Sequence, residues 1–195
     1  MTQLPPLAQR TGVFNDYIAR QTEVLVVEEK LLSFTGDSFN VKLASGAPFL
    51  KVQGKKMSLR QRKEVSDMSG RHIFSIRSKA SALLRLTFVA ETPDEKQVLE
   101  VKFSIGKLIG TKAYVTFTSV SGKEESFTME GDWRTKRAEI KDDATGAVVA
   151  LISRATDAMH LLGGVQTYTV TIAPNMDMAL VMAMCIALDE KAETK

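Results

Sequence analysis

Eleven consecutive apolar residues, Met178 to Leu188, run between Asp177 and the pair Asp189-Glu190, and they constrain the fold more than any other stretch. Wound as a helix at about 100° per residue, Leu180, Val181, Met182, Met184, Cys185, Ile186 and Leu188 point in every direction, so no face is left for water. Lipid cannot enclose such a helix, because eleven residues rise about 16 Å against about 30 Å of bilayer hydrocarbon. The host must be protein. Asp177 is placed to cap the helix start, and Ala173-Pro174-Asn175 breaks the segment before it. Ala179, Ala183 and Ala187 form a ridge of small side chains that lets the helix lie close to one wall.

Almost everything upstream alternates with the period of a half-buried strand. Phe39, Val41 and Leu43 alternate with polar residues, as do Leu84, Leu86 and Phe88, then Leu99, Val101, Phe103 and Ile105, and finally Tyr168, Val170 and Ile172. Further strands are expected near residues 24–30, 49–53, 56–60, 72–77, 113–119, 125–130, 137–142 and 147–153. Gln53-Gly54-Lys55-Lys56 reads as a two-residue hairpin pairing Val52 with Met57 and Leu50 with Leu59. Asp67-Met68-Ser69-Gly70 reads as a type I turn. The order from Phe49 through Gly54 and Gly70 to Arg77 recurs from Phe127 through Gly131 and Gly146 to Arg154, which suggests a pseudo-repeated sheet.

About twelve antiparallel strands must manage their edges, and closure removes edges altogether. A barrel of that size leaves a lumen, and the apolar helix fills it. The expected fold is all-β with one central helix: a twelve-stranded closed antiparallel barrel around Asp177, Ala179, Leu180, Val181, Ala183, Met184, Ile186, Ala187 and Leu188. Residues 1–22 are expected as a poorly ordered arm, 23–190 as the barrel domain and 191–195 as a tail.

Function is less legible. Cys185 is the only cysteine, which excludes an internal disulfide and a cysteine-based zinc site. Residues 1–20 lack the apolar core of a signal peptide, so the chain reads as cytoplasmic, monomeric and without a transmembrane segment. Net charge is only +3, so any anion-binding surface must come from local clustering. The best cluster is Lys51, Lys55, Lys56, Arg60, Arg62 and Lys63, with no acidic residue among them, followed by Arg77 and Lys79. Alternation sets Lys51, Lys56, Arg60 and Arg62 on the outer face and Lys55 at the hairpin tip. Such a face attracts anionic head groups, or it merely keeps a strand solvated and unpaired. No aromatic residues interleave with these cations, which argues against nucleic acid.

No reaction is signalled. His72 and His160 stand in unrelated contexts without metal-ligand spacing, there is no Gly-x-Ser-x-Gly elbow, and no cofactor or metal site is expected. Gly106 to Lys112 lacks phosphate-loop spacing. Trp133 is expected to pack across a hairpin.

Glu29-Lys30-Leu31-Leu32-Ser33, Gly54-Lys55 with Ser58-Leu59-Arg60, Asp67-x-x-Gly70, and Asp177-x-Ala179-Leu180-Val181 closing on Asp189-Glu190 together resemble the LURP-one-related family. The resemblance covers residues 23–190. It implies kinship with the tubby C-terminal-like and phospholipid scramblase groups, whose barrel surrounds a hydrophobic C-terminal helix. It also implies no established reaction: tubby relatives bind phosphoinositides, and some LURP-one-related members are tied to defence. The acidic calcium loop expected of a scramblase is absent from this sequence. Two functions are therefore expected: an anionic phospholipid or phosphorylated ligand held by the basic face, peripheral to a membrane, or a protein partner held by a regulatory scaffold.

Overall fold

The structure, a computed structural model, describes residues 2–30, 38–55, 62–79, 87–104, 111–154 and 165–193. Its strands are β1 (Glu23–Lys30), β2 (Ser38–Leu43), β3 (Pro48–Lys55), β4 (Arg62–Asp67), β5 (His72–Ser78), β6 (Thr87–Glu91), β7 (Gln97–Phe103), β8 (Thr111–Thr118), β9 (Glu124–Asp132), β10 (Arg137–Asp142), β11 (Val148–Arg154) and β12 (Val165–Ile172). One helix, α1 (Met178–Glu193), ends the chain. Each strand pairs antiparallel with the next. β1 closes the cylinder on β12, with Leu25 opposite Val170 and Val27 opposite Tyr168. No paired edge is left open, as expected from the alternation.

Period-two alternation places Leu25, Val27, Val41, Leu50, Val52, Val65, Phe74 and Ile76 in the core with the whole apolar stretch of α1. From Ala179 to Ile186 the helix is fully enclosed, and it continues beyond the expected Leu188 to Glu193, into the stretch read as a tail.

The two ends of the cylinder differ. At one end, which we call the arm end, short turns join β2–β3, β4–β5, β6–β7, β8–β9 and β10–β11, and α1 enters from β12. The other, far end receives the end of α1. Asp67–Gly70 forms the expected turn: the Gly70 N–H donates to the Asp67 carbonyl at 3.1 Å, with Gly70 at φ +87°. Gly146 closes the β10–β11 turn one residue wider, its N–H donating to the Asp142 carbonyl at 2.8 Å with φ +71°. Bulges interrupt four of these hairpins just before their turns, at Val41/Lys42, Val65/Ser66, Ala90/Glu91 and Ile140/Lys141, where an extra residue tightens the local twist.

The internal repeat is structural. β3–β4–β5 and β9–β10–β11 lie six strands apart, and Gly54 and Gly131 are the penultimate residues of equivalent strands. A Cβ on Gly131 would lie 2.3 Å from the Arg137 carbonyl oxygen, so the close approach of β9 to β10 requires glycine.

Two expectations are corrected. The two-residue hairpin at Gly54-Lys55 does not form: β3 runs on through Lys55, and Val52 pairs with Val65 rather than Met57, Leu50 with Asp67 rather than Leu59. The expected strand 56–60, like Leu84, Leu86 and Ile105, lies outside the described residues, and the strand paired with β3 is β4. Residues 2–22, expected as a loose arm, pack across the arm end. Leu7 N–H donates to the Pro174 carbonyl at 3.0 Å, Ala19 N–H to the Met176 carbonyl at 2.9 Å, and Phe14 stacks on Phe74 with centroids 5.4 Å apart. The arm has backbone groups to satisfy, and the strand-to-helix link supplies partners for them.

Candidate functional site

The basic run does not form one face. Lys51 is exposed on the outside of β3, and Arg62 is half-buried at the start of β4. Lys55 ends β3 in its backbone. Its side chain, with all of Lys56 and Arg60, lies outside the described residues. Lys63 falls on the inner face with Val65 and is only 5% exposed, its Nζ 2.6 Å from Oε1 of Glu190 on α1. Arg77 grips Glu91 through two nitrogens, with Nε to Oε2 at 2.9 Å, and that hydrogen bonding holds its pKa up. Lys79 donates to Glu100 at 2.6 Å, and together with Lys102 it holds the Glu100 carboxyl below its ordinary range. Of eight cations singled out by sequence, three are therefore committed to carboxylates that sequence proximity does not reveal.

Both ends of α1 carry buried polar chemistry. At its start Asp177, fully buried, accepts four backbone N–H groups: Ala179 at 2.9 Å and Leu180 at 3.0 Å on Oδ1, Val13 at 2.9 Å and Phe14 at 2.6 Å on Oδ2. One carboxylate thus caps the helix and ties down the arm. Burial pushes this carboxyl up to about 6, against the opposing pull of those hydrogen bonds. Gly12 must be glycine, since a Cβ there would sit 2.1 Å from the Asp177 Cβ.

At the far end, Asp189 and Glu190 lie near the helix C-terminus, where the dipole disfavours negative charge. They are held from the barrel wall. Trp133 Nε1 donates to Asp189 Oδ1 at 2.9 Å, Lys136 Nζ reaches the same oxygen at 2.5 Å, and Tyr168 Oη donates to Oδ2 at 3.2 Å. Lys136 also lies 4.2 Å over the Trp133 ring and 5.0 Å over Tyr168. Trp133, in the short helix Trp133–Thr135, therefore turns inward onto α1 instead of packing across its hairpin. Sequence reasoning missed Lys136 and misplaced Trp133 because no local pattern marks a residue as facing a helix 53 or 56 positions away.

His72 Nε2 lies 2.8 Å from Ser75 Oγ, but Ser75 is 1% exposed. A depression of about 500 Å³ over β7–β9 and one of about 330 Å³ beside the arm contain neither histidine nor cysteine. No metal-binding group of three His, Cys, Asp or Glu occurs among the described residues, and none of their helices is long and apolar enough to cross a membrane. Burial pushes the Cys185 thiol far up.

The two ends are charged differently. Turns at the arm end bear Asp67, Asp94, Glu95, Asp142 and Asp143 against Arg71, Lys96 and Lys123, and the arm packed across them adds Asp16 against Arg10 and Arg20, so this end is close to charge balance. Described positions at the far end bear Arg62, Lys79, Lys112, Arg134, Arg137 and Arg154 against Glu130 and Asp132.

A closed antiparallel β-barrel threaded by its own apolar C-terminal helix is the class of protein that these features define. The chain belongs to the LURP-one-related family, whose sequence model matches residues 23–189. It is similar to protein LURP-one-related 15 of Arabidopsis thaliana, 24% identical over 191 residues covering 95% of this chain and 88% of the relative. Protein LURP-one-related 1 of the same plant is 23% identical over 192 residues, covering 95% of this chain and 86% of the relative. An X-ray structure of an Arabidopsis thaliana protein shares the fold, with a TM-score of 0.58 at 17% identity, covering 91% of this chain and 96% of that one.

Proposed function

We propose that the chain is a non-catalytic module that docks the far end of its barrel on an anionic phospholipid surface, as a peripheral protein of the cytoplasmic membrane face. The unequal charge of the two ends carries this reading. Near an anionic surface each Lys or Arg contributes about 1 kcal/mol, so Arg62, Arg134, Arg137 and Arg154 together supply about 4 kcal/mol, while the nearly balanced arm end gains little. The sequence of the segments linking strands at the far end agrees, although their structure lies outside the described residues: they carry Leu31-Leu32, Leu83-Leu84 and Leu161-Leu162 beside Lys56, Arg60 and Arg85. Apolar residues among cations suit a headgroup boundary.

Co-sedimentation of the full chain with vesicles tests this. Phosphatidylcholine vesicles containing phosphatidylserine or a phosphoinositide should retain it at low salt and release it at high salt. Retention that ignores lipid charge and salt would overturn the reading. So would no retention beside a protein pull-down that charge reversal at Lys56, Arg60 and Arg62 leaves unchanged, the outcome expected of a regulatory scaffold.

A further inference from the structure

The barrel wall parts between β7 and β8 at the arm end. Ala90 pairs with Leu99 and Glu91 with Gln97, so Val98 is the extra residue of the β6–β7 bulge. Pairing of β7 with β8 stops at Leu99–Phe117, and among the described residues Gln97 and Val98 have no partner on β8. β8 and β9 stay joined as far as Thr118–Glu124. The depression of about 500 Å³ lies over this seam. Both faces of the sheet line it: exposed Thr116, Thr118 and Ser126 from outside, buried Leu99, Phe117 and Glu125 from inside.

Glu125 is the anomaly among them. Alternation along β9 sets its carboxylate on the inner face with Phe127, opposite Phe117, and the residue is only 6% exposed. Its Oε2 accepts from Lys123 Nζ at 3.0 Å, whereas Oε1 is buried with no hydrogen-bond partner. A buried carboxylate oxygen without a donor is costly, and native folds leave few of them. Lys123 meets only half of the need, with one ammonium on one oxygen and a side chain 55% exposed. The turn that carries it is fixed: Ser119 N–H donates to the Lys123 carbonyl and Val120 N–H to the Gly12 carbonyl, both at 2.8 Å. The Lys123 side chain can therefore swing into water while the strands stay in place.

We propose that the seam is a binding pocket for an arginine side chain on an extended segment of a protein partner, with Lys123 as its internal stand-in. A guanidinium carries paired N–H donors that engage both oxygens of one carboxylate, which a single ammonium on one oxygen does not. Rotation about the last side-chain bond of Glu125, a soft torsion, turns both oxygens to it. The hydroxyls of Thr118 and Ser126 at the mouth offer acceptors for its remaining donors, and exposed Glu124 adds a second negative charge against the one of Lys123. A depression of this size is that of a site for a whole ligand and has room for the chain that carries the guanidinium. The pocket stands independently of the membrane reading, because it lies at the end away from the lipid and stays open to a soluble partner.

Titration of the isotope-labelled full-length chain, without lipid, with acetyl-Gly-Gly-Arg-Gly-Gly-amide, its citrulline counterpart and free methylguanidinium tests the pocket. The arginine peptide should shift the amide resonances of Val98, Thr118 and Ser126, and the citrulline peptide, which keeps the shape without the charge, should not. Lys123→Gln removes the stand-in and should tighten binding of the arginine peptide by up to about fivefold, the worth of a half-exposed ion pair. Glu125→Gln should weaken it by at least about tenfold, the worth of a charge-assisted hydrogen bond. A merely structural ion pair would give Lys123→Gln no gain in affinity, and that result would overturn the stand-in and the pocket with it. Equal binding of the citrulline peptide would overturn cation recognition. Methylguanidinium bound as tightly as the peptide would overturn a protein segment as the source. Absence of shifts in both wild type and Lys123→Gln at millimolar peptide would overturn the pocket and leave the membrane reading standing.

Discussion

Asp177 joins the arm, the barrel and the helix, and its titration gives the structure a measurable signature. An ordinary aspartate titrates at 3.8 and this one is pushed up to about 6 in the fold, so the folded chain holds its proton more tightly than the unfolded chain does. The stability linked to that proton is fully present below about pH 4 and is lost as pH rises through about 6. The loss amounts to about 3 kcal/mol, at about 1.4 kcal/mol per pH unit of separation. Asp177→Asn cannot ionise and escapes that loss. Urea unfolding of both proteins from pH 4 to pH 7 should show wild type losing about 3 kcal/mol more than the variant. The Asn oxygen can still accept from Ala179 and Leu180, but its amide nitrogen now meets the Val13 and Phe14 N–H groups, donor against donor. Tryptic cleavage at Arg10 and Arg20 should therefore quicken by about fivefold, the worth of one net hydrogen bond of about 1 kcal/mol. Parallel stability curves would refute the reasoning. A wild type that gains on the variant with rising pH would mean that four backbone donors outweigh burial.

Two further outcomes follow from packing. Gly131→Ala drives a methyl group into the Arg137 carbonyl and should cost about 1–3 kcal/mol in chemical denaturation, whereas Gly122→Ala, with open space around it, should cost only the strain of its left-handed backbone. Deleting residues 177–195 removes the filling of the lumen. Seven large side chains at about 1.5–3 kcal/mol each exceed typical domain stability, so the truncated chain should show no cooperative melt, and a soluble, monomeric, cooperatively melting product would contradict the role given to α1.

The sequence disclosed the barrel because period-two alternation and an all-round apolar helix are local signals. Register is another matter. The expected partner of Val52 was Met57 and the observed one is Val65, eight residues on. An even shift leaves every side chain on the same face, so inside-outside sorting cannot distinguish the two, and only an odd slip would have betrayed itself. The basic cluster failed for a related reason. Alternation from Val65 turns Lys63 inward, but a lysine reads as exposed until Glu190 is seen opposite it, and that contact spans most of the chain. Glu91 and Glu100 neutralise Arg77 and Lys79 through pairings of the same non-local kind.

The enclosure of α1 is tested most directly by its lone thiol. Cys185 is fully buried midway along the helix, and burial keeps it protonated. In native buffer it should react with an aromatic disulfide reagent only through global opening, at a rate that follows the urea-derived stability denaturant step by denaturant step. Labelling at the rate of a free cysteine in folded protein, with no dependence on that stability, would place the helix outside the barrel.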